Sequence, residues 1–323
     1  MKNLEDDEID NIRMISKVAH LYHNVGLDQV EIATRLNISQ ARVSRLLKSA
    51  KDTGIIKSVV ITPKGLFSDL EHAVETRFGL RQVHIVDGSG ESEPELMRTL
   101  GEALASVFVM LPVEGKSIGF TAWSRSFRSF VGALQFSKNI KVEKIVELLG
   151  GIGQPSLQHL ITSATENFSN LTNSKAIFLR VPGVVKSKEM REVLTENYSQ
   201  TNKALEEFAN LDIAMVGIGT AEAKAYNATD FNFFTDEQFD VARSKGAIAE
   251  INLRFIDQQG KPVKTQLDNL VIGISLDQLR EVPLKIGVSG GASKHKATLA
   301  VVRGQWIDVL ITDHETAQYL LEN

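Results

Sequence analysis

The chain has 323 residues, 43% hydrophobic and 24% charged, with a formal net charge of −4. That length supports two or more domains, and the composition is ordinary for a globular protein with a large core. No cysteine is present, which excludes disulfides, thiolate catalysis and thiolate metal sites and fits a reducing cytoplasm.

Met1 to Asp10 is acidic and lacks the apolar core of a secretory signal. Ile9, Ile12, Ile15, Val18 and Leu21 then predict a first helix. From Leu27 to Gly54 (LDQVEIATRLNISQARVSRLLKSAKDTG) two further short helices are predicted around a tight turn. Val30, Ala33 and Leu36, with Ile32 beside them, form the apolar face of the earlier one. Asn37 tolerates the left-handed backbone such a turn needs, and Ser39 is placed to cap the next helix with its hydroxyl. Val43, Leu46, Leu47 and Ala50 give that helix an inward face.

Gln40, Arg42, Ser44, Arg45 and Lys48 are left on its other sides, near its start. Arg matches guanine O6 and N7, and Gln matches adenine N6 and N7. In a helix-turn-helix protein, residues at this end of the second helix reach base edges. Between Arg35 and Lys57 six Lys/Arg stand against one acid, Asp52, in a chain that is negative overall. A phosphate-binding footprint needs that local reversal of charge. Ser39, Gln40, Arg42, Ser44, Arg45 and Lys48 are therefore the candidate DNA-contacting residues, and double-stranded DNA is the expected partner.

Gly54 stops the recognition helix. Ile55 to Thr62 is β-branched and predicts a strand that forms a wing against the helices. Pro63-Lys64-Gly65 is the strongest boundary signal in the chain. It separates a helix-turn-helix DNA-binding domain, residues 1–62, from a larger domain, residues 63–323. In the larger domain Leu66 to Phe78 predicts a helix. Strands follow at Val83–Val86, Ser117–Phe120, Lys144–Leu149, Ala176–Val181, Asp212–Ile218, Leu270–Ile274, Leu284–Val288 and Trp306–Ile311. Helices lie between them, among them Pro94–Leu111 and one from Ser124. Short continuous apolar strands alternating with helices indicate an α/β domain with a mainly parallel, Rossmann-like sheet. Ala247–Ile256 and Lys261–Val263 read instead as a hairpin around the turn Asp257–Gly260. The longest apolar run, around Leu104 to Val113, is too short to span a bilayer, and no membrane partner is expected.

Glycines close four of the strands: Gly119, Gly150-Gly151-Ile152-Gly153, Gly217-Ile218-Gly219 and Gly290-Gly291. In open α/β sheets ligands bind outside the carboxyl ends of strands, where small residues and helix N-termini favour anions. Ser124, Arg125 and Ser126 begin a helix after one such strand, and Ser293 and Lys294 follow another. Hydroxyls, a guanidinium and an ammonium in these places suit a phosphate. The dinucleotide fingerprint and the Walker A sequence are missing, as are the H-E-x-x-H and G-x-S-x-G motifs. His20 and His23 read as surface or packing residues. No catalytic set, metal site or cofactor is expected. Trp123 reads as core or as a ligand platform.

Several separated stretches resemble the SorC/DeoR-type family of bacterial sugar-responsive transcriptional regulators. They are Glu31 to Leu47 (EIATRLNISQARVSRLL), Asp212 to Gly219 (DIAMVGIG), Lys245 to Gly260 (KGAIAEINLRFIDQQG), Val288 to Lys294 (VSGGASK) and Val309 to Ala317 (VLITDHETA). The resemblance covers nearly the whole chain. It implies a C-terminal domain with the fold of glucosamine-6-phosphate deaminase and ribose-5-phosphate isomerase, and a phosphorylated sugar or polyol-derived effector. It also implies a homodimer or homotetramer on operator DNA. The family's glycine-plus-hydroxyl turn falls on Phe120 to Ser126 and so includes Phe120, Ser124, Arg125 and Ser126. Its Gly-Gly turn falls on Gly150, Gly151 and Gly153, its acidic residue on Glu250, and its phosphate-contacting lysine on Lys294. Here the first turn reads Thr121-Ala122-Trp123-Ser124-Arg125-Ser126, one residue longer than the family's Trp-Gly-x-Thr pattern, and the acidic residue is Glu rather than Asp. The implied reading is a regulator of a carbohydrate-utilisation operon in the cytoplasm. Because the same fold hosts enzymes, a sugar-phosphate isomerase or deaminase using Glu250 and Lys294 is the alternative.

Overall fold

The computed structural model describes residues 4–56, 65–135, 140–151, 155–222 and 233–323, in two compact units, Met1–Thr62 and Pro63–Asn323. The smaller unit holds helices α1 (Leu4–His23), α2 (Gln29–Leu36) and α3 (Gln40–Asp52). Asp28 starts α2 by accepting from the Val30 and Glu31 amides, both at 2.8 Å, while Glu31 accepts from the Asp28 amide. This reciprocal capping satisfies donors that a helix start otherwise leaves open. The helix ends on Asn37, at φ 52° and ψ 49°. Ser39 Oγ then accepts from the Arg42 amide at 3.3 Å and starts α3.

Ile15, Val18, Ala19 and Leu21 of α1 meet Ile32 of α2 and Val43, Leu46, Leu47 and Ala50 of α3 in one core. Two residues expected on inward faces lie outside it: Ile12 is 50% and Val30 56% exposed. Ile32 takes the buried position of α2, and Val30 stands about 200° away round the helix. Gly54 follows α3 at φ 73°, and Ile55 and Ile56 form a bend. The rest of the expected wing strand lies outside the described residues.

The larger unit begins with α4 (Ser68–Phe78), β1 (Gln82–Val86), α5 (Glu93–Phe108), β2 (Ser117–Phe120), α6 (Arg125–Ala133), β3 (Lys144–Glu147), α7 (Pro155–Leu171) and β4 (Lys175–Ile177). It continues with α8 (Lys188–Glu196), α9 (Ser199–Glu206), β5 (Ile213–Gly217), β6 (Gly219–Thr220), α10 (Asp236–Ser244), β7 (Ala247–Ile251) and β8 (Arg254–Asp257). The end is α11 (Leu276–Glu281), β9 (Leu284–Val288), α12 (His295–Arg303), β10 (Val309–Asp313) and α13 (His314–Glu322). Seven strands form a parallel sheet in the order β1-β10-β9-β5-β2-β3-β4, and β6, β7 and β8 form a small antiparallel one. Strand β5 shows why its sequence is apolar throughout. Ile213 and Met215 enter a core rich in phenylalanine, and Ala214 and Val216 enter the core on the opposite face. A sheet covered on both sides has no polar face to alternate with. At the edge, the β1 amides of Val83 and Ile85 donate to Glu75 and Glu71 of α4 at 2.8 and 2.9 Å. These carboxylates occupy the row that would otherwise template another strand.

Three expected elements differ. Leu270–Ile274 is no ladder strand: a 3-10 turn over Gln266–Leu270 leads into isolated bridges at Val271 and Gly273. The buried Arg254 guanidinium donates to the carbonyls of Asp268, Val271, Gly273 and Ile274, so three of this segment's acceptors are taken by a side chain, while Leu270 and Ile272 accept from the Val185 and Gly150 amides. The stretch 247–256 is broken in its middle, because Asn252 and Leu253 take φ 49° and 64° and form a two-residue hairpin loop. The predicted turn at Asp257–Gly260 also exists, closed by the Gly260 amide to the Asp257 carbonyl at 3.0 Å. Strand β4 stops at Ile177, and two residues on, the Leu179 amide donates to Glu147 at 3.0 Å rather than to a neighbouring strand.

Candidate nucleic-acid interface and effector site

On α3 the buried Val43, Leu46, Leu47 and Ala50 fix which way the helix faces. Ser39, Gln40, Arg42, Ser44, Arg45 and Lys48 are all exposed. Arg45 Nε lies 3.4 Å from the Ala41 carbonyl, one turn back. The cap at Ser39 and the left-handed Asn37 set the angle at which the chain enters this helix. Its first three turns and their cap carry two guanidiniums, an ammonium, an amide and hydroxyls, the donor set for base edges and phosphates.

The second site is defined by strand order. After β2 the chain passes through α6 to β3, which lies on one side of β2. After β5 it leads eventually to β9, on the far side of β5. Because β2 and β5 are neighbours, their carboxyl ends form the switch point at which α/β sheets open a crevice. The turn after β2 is tightly held. Ser124 donates its amide to the Thr121 carbonyl at 3.3 Å, and Arg128 Nη1 donates to the Trp123 and Ala122 carbonyls at 2.9 and 3.3 Å. Ser124 stands at the α6 N-cap but does not cap it; its hydroxyl lies 2.8 Å from that of Ser126. The α6 amides are thus not spent on Ser124, an arrangement suited to an anion.

Strand β5 reaches the same place. A Cβ built on Gly217 would lie 3.3 Å from Ser124 Cβ. Gly219 pairs with Glu250, whose carboxylate crosses over it so closely that any Cβ at Gly219 would collide with it. The 3-10 turn Ala292–Lys294 packs against β6. Ser124, Ser126, Glu250 and the turn carrying Lys294 therefore converge around the end of β5. Arg125, Glu250 and Lys294 are each half-buried. Among the described residues no group of three or more His, Cys, Asp or Glu side chains is placed to hold a metal ion.

Other expected site residues take different places. Phe120 is fully buried, its ring 5.8 Å from that of Phe127 and 5.1 Å from that of Phe168; its side chain is core. The Gly150 and Gly151 amides donate to the Ile272 and Val181 carbonyls at 3.0 and 2.7 Å, so neither is open to an anion. Gly153 lies outside the described residues. Trp123 is a strut: its Nε1 donates to the Gly150 carbonyl at 3.2 Å and its ring meets Phe233 edge-on at 4.8 Å. Two residues at the site were not anticipated. Thr121 Oγ1 donates to Asn252 Oδ1 at 2.9 Å, and both side chains are buried. An asparagine tolerant of a left-handed hairpin position was the one available signal.

A candidate recognition helix in one unit and a candidate switch-point site in the other are the parts of an effector-controlled DNA-binding protein. A family model described as "Winged helix-turn-helix DNA-binding" matches residues 18–57, and one described as "Putative sugar-binding domain" matches residues 64–322. The sorbitol operon regulator of Klebsiella pneumoniae is 27% identical over 97% of this chain and 99% of its own length. The deoxyribonucleoside regulator of Bacillus subtilis (strain 168) is 25% identical over 95% of this chain and 96% of its own. The crystal structure of full-length SorC from Klebsiella pneumoniae superposes with a TM-score of 0.73 at 27% identity, covering 96% of this chain and 98% of that one. The chain belongs to the SorC/DeoR-type family of sugar-binding, helix-turn-helix transcriptional regulators.

Proposed function

We propose that this regulator controls a carbohydrate-utilisation operon and that a phosphorylated sugar or polyol, bound at the β2–β5 switch point, sets its affinity for operator DNA. The supporting observation is the convergence at one strand end of paired hydroxyls, an open helix start and a lysine-bearing turn. The phosphate belongs at Ser124, Ser126 and the α6 amides, with Lys294 opposite. The hydroxylated chain extends toward Glu250. DNA is read by Arg42, Arg45 and Gln40, with Lys48, Ser39 and Ser44 on phosphates. The protein acts in the cytoplasm as a homodimer or homotetramer. The effector shifts the population between arrangements of its paired recognition helices.

A regulatory rather than enzymatic role is favoured by Glu250 itself. Its Oε2 accepts from the Leu253 amide at 2.7 Å, which makes it an anchor of the hairpin turn rather than an unencumbered base. Among the described residues no helix is long and apolar enough to cross a membrane. The deciding experiment is fluorescence anisotropy on the DNA upstream of its own gene, with a panel of sugars and sugar phosphates. Salt-sensitive binding that one compound changes is the expected result. Binding indifferent to every compound would refute this effector class, and turnover of a sugar phosphate would favour the enzyme.

A further inference from the structure

The two-residue loop between β7 and β8 extends from the small antiparallel sheet to the end of β2 in the large one. Asn252, at its first position, is 5% exposed. Its Oδ1 accepts from Thr121 Oγ1 at 2.9 Å. Its Nδ2 is buried and has no hydrogen-bond partner. The turn is held from below by Glu250, through the Leu253 amide. Thr121 in turn accepts, through its carbonyl, from the Ser124 amide. Asn252 therefore joins the two sides of the switch-point site, Glu250 on one and the Thr121–Ser126 turn on the other, with half of its amide spent and half unsatisfied.

Backbone geometry alone does not explain this side chain. Glycine and aspartate also accept a left-handed hairpin position, and neither leaves a buried N–H donor without an acceptor. Such donors are rare in native interiors because burial without a partner is unfavourable. An effector oxygen at this point would satisfy it. Neighbouring Glu250 only accepts when ionised, so the pair would offer one donor and one acceptor, the pattern that recognises adjacent oxygens of a polyol or hydroxy-carbonyl chain.

We propose that Asn252 is a specificity-determining residue of the effector site, donating through Nδ2 to a non-phosphate oxygen of the bound sugar or polyol phosphate. The proposal rests on the switch-point effector reading above. Its test uses the full-length protein, with isothermal titration and thermal shift against sorbitol 6-phosphate, fructose 6-phosphate, 2-deoxyribose 5-phosphate, glycerol 3-phosphate and inorganic phosphate. Asn252→Asp keeps the acceptor for Thr121 and the tolerance of positive φ, and replaces the donor with a carboxylate oxygen that also adds negative charge. The expected result is that at least one organic phosphate stabilises the wild type and that its affinity changes at least tenfold in N252D, reordering the panel. Affinities within twofold of wild type for every compound would overturn the proposal. So would an equal loss for inorganic phosphate, which marks a distorted turn or general charge repulsion rather than a lost donor. If N252D does not fold, N252G is read by the same criteria, and failure of both to fold assigns Asn252 a structural role and overturns it. If no organic phosphate stabilises the wild type, the effector reading itself fails, a result distinct from any of these.

Discussion

Gly217 and Ser124 face each other across the switch point: a Cβ on Gly217 would lie 3.3 Å from Ser124 Cβ and 3.4 Å from its Oγ. The end of β5 thus sets where the hydroxyl pair at the start of α6 can stand. Gly217→Ala tightens that contact, and Gly217→Val forces Ser124 to move. We expect effector affinity to fall in the order wild type, Ala, Val, with stability lowered by no more than about 1–3 kcal/mol, as for mild overpacking. The readouts are effector titration and thermal melting. Unchanged effector affinity in G217V would separate Ser124 from the site.

The recognition helix predicts two behaviours. Arg42→Ala and Arg45→Ala each remove about 1–3 kcal/mol of operator binding and relax specificity at one base position. Lys48→Ala weakens binding evenly across sequences and reduces the salt slope by about one. Binding isotherms over a range of salt, on the operator and on single-base variants, distinguish the two. If all three substitutions behave alike, the division into base and phosphate contacts is wrong.

The strands that build the site were legible because two-sided burial leaves short apolar runs; β2 and β9 occur where such runs predict them. The hairpin was less so. Ala247–Ile256 reads as one continuous strand, since leucine at a positive φ, as at Leu253, leaves no mark in composition. Leu270–Ile274 has a strand's residues, yet its backbone is bound by Arg254 from another element, and no local pattern records that. The glycine turns presented a different difficulty. All four look alike in sequence, but Gly150 and Gly151 spend their amides on backbone, while Gly217 and Gly219 owe their small size to Ser124 and Glu250. Only strand order, which placed β5 beside β2, decides which turns meet.

Helix α6 is also located from behind. A Cβ on Gly101 of α5 would lie 2.5 Å from the Ser126 carbonyl oxygen and 2.7 Å from the Phe130 amide nitrogen. These are backbone atoms, so the whole helix must move rather than one side chain. Alanine is ordinarily better than glycine inside a helix by about 1 kcal/mol. Here overpacking should outweigh that gain, leaving Gly101→Ala less stable by about 1–3 kcal/mol. Because Ser124 and Ser126 travel with α6, effector affinity should fall as well. A more stable G101A protein with normal effector response would show that α6 is not braced by this crossing.

Glu147, at the end of β3, is 4% exposed. It accepts from the Thr165 hydroxyl and the Leu179 amide, both at 3.0 Å. Burial raises its carboxyl above the ordinary 4.5, with the Leu179 and Thr165 hydrogen bonds and the Arg180 charge pulling the other way. A raised native pKa means that the folded state holds this proton more tightly than the unfolded chain. The resulting stability is fully present below 4.5 and is lost as pH rises through the native value. Glu147→Gln keeps an acceptor for Leu179 and gives Thr165 a donor, and Thr165 already donates to the Ile161 carbonyl at 3.2 Å. The variant carries no charge to bury. Its melting temperature should therefore rise relative to wild type as pH is increased from below 4.5 toward neutrality. A difference between the two proteins that stays constant over that range would show that Glu147 enters the fold ionised at no net disadvantage.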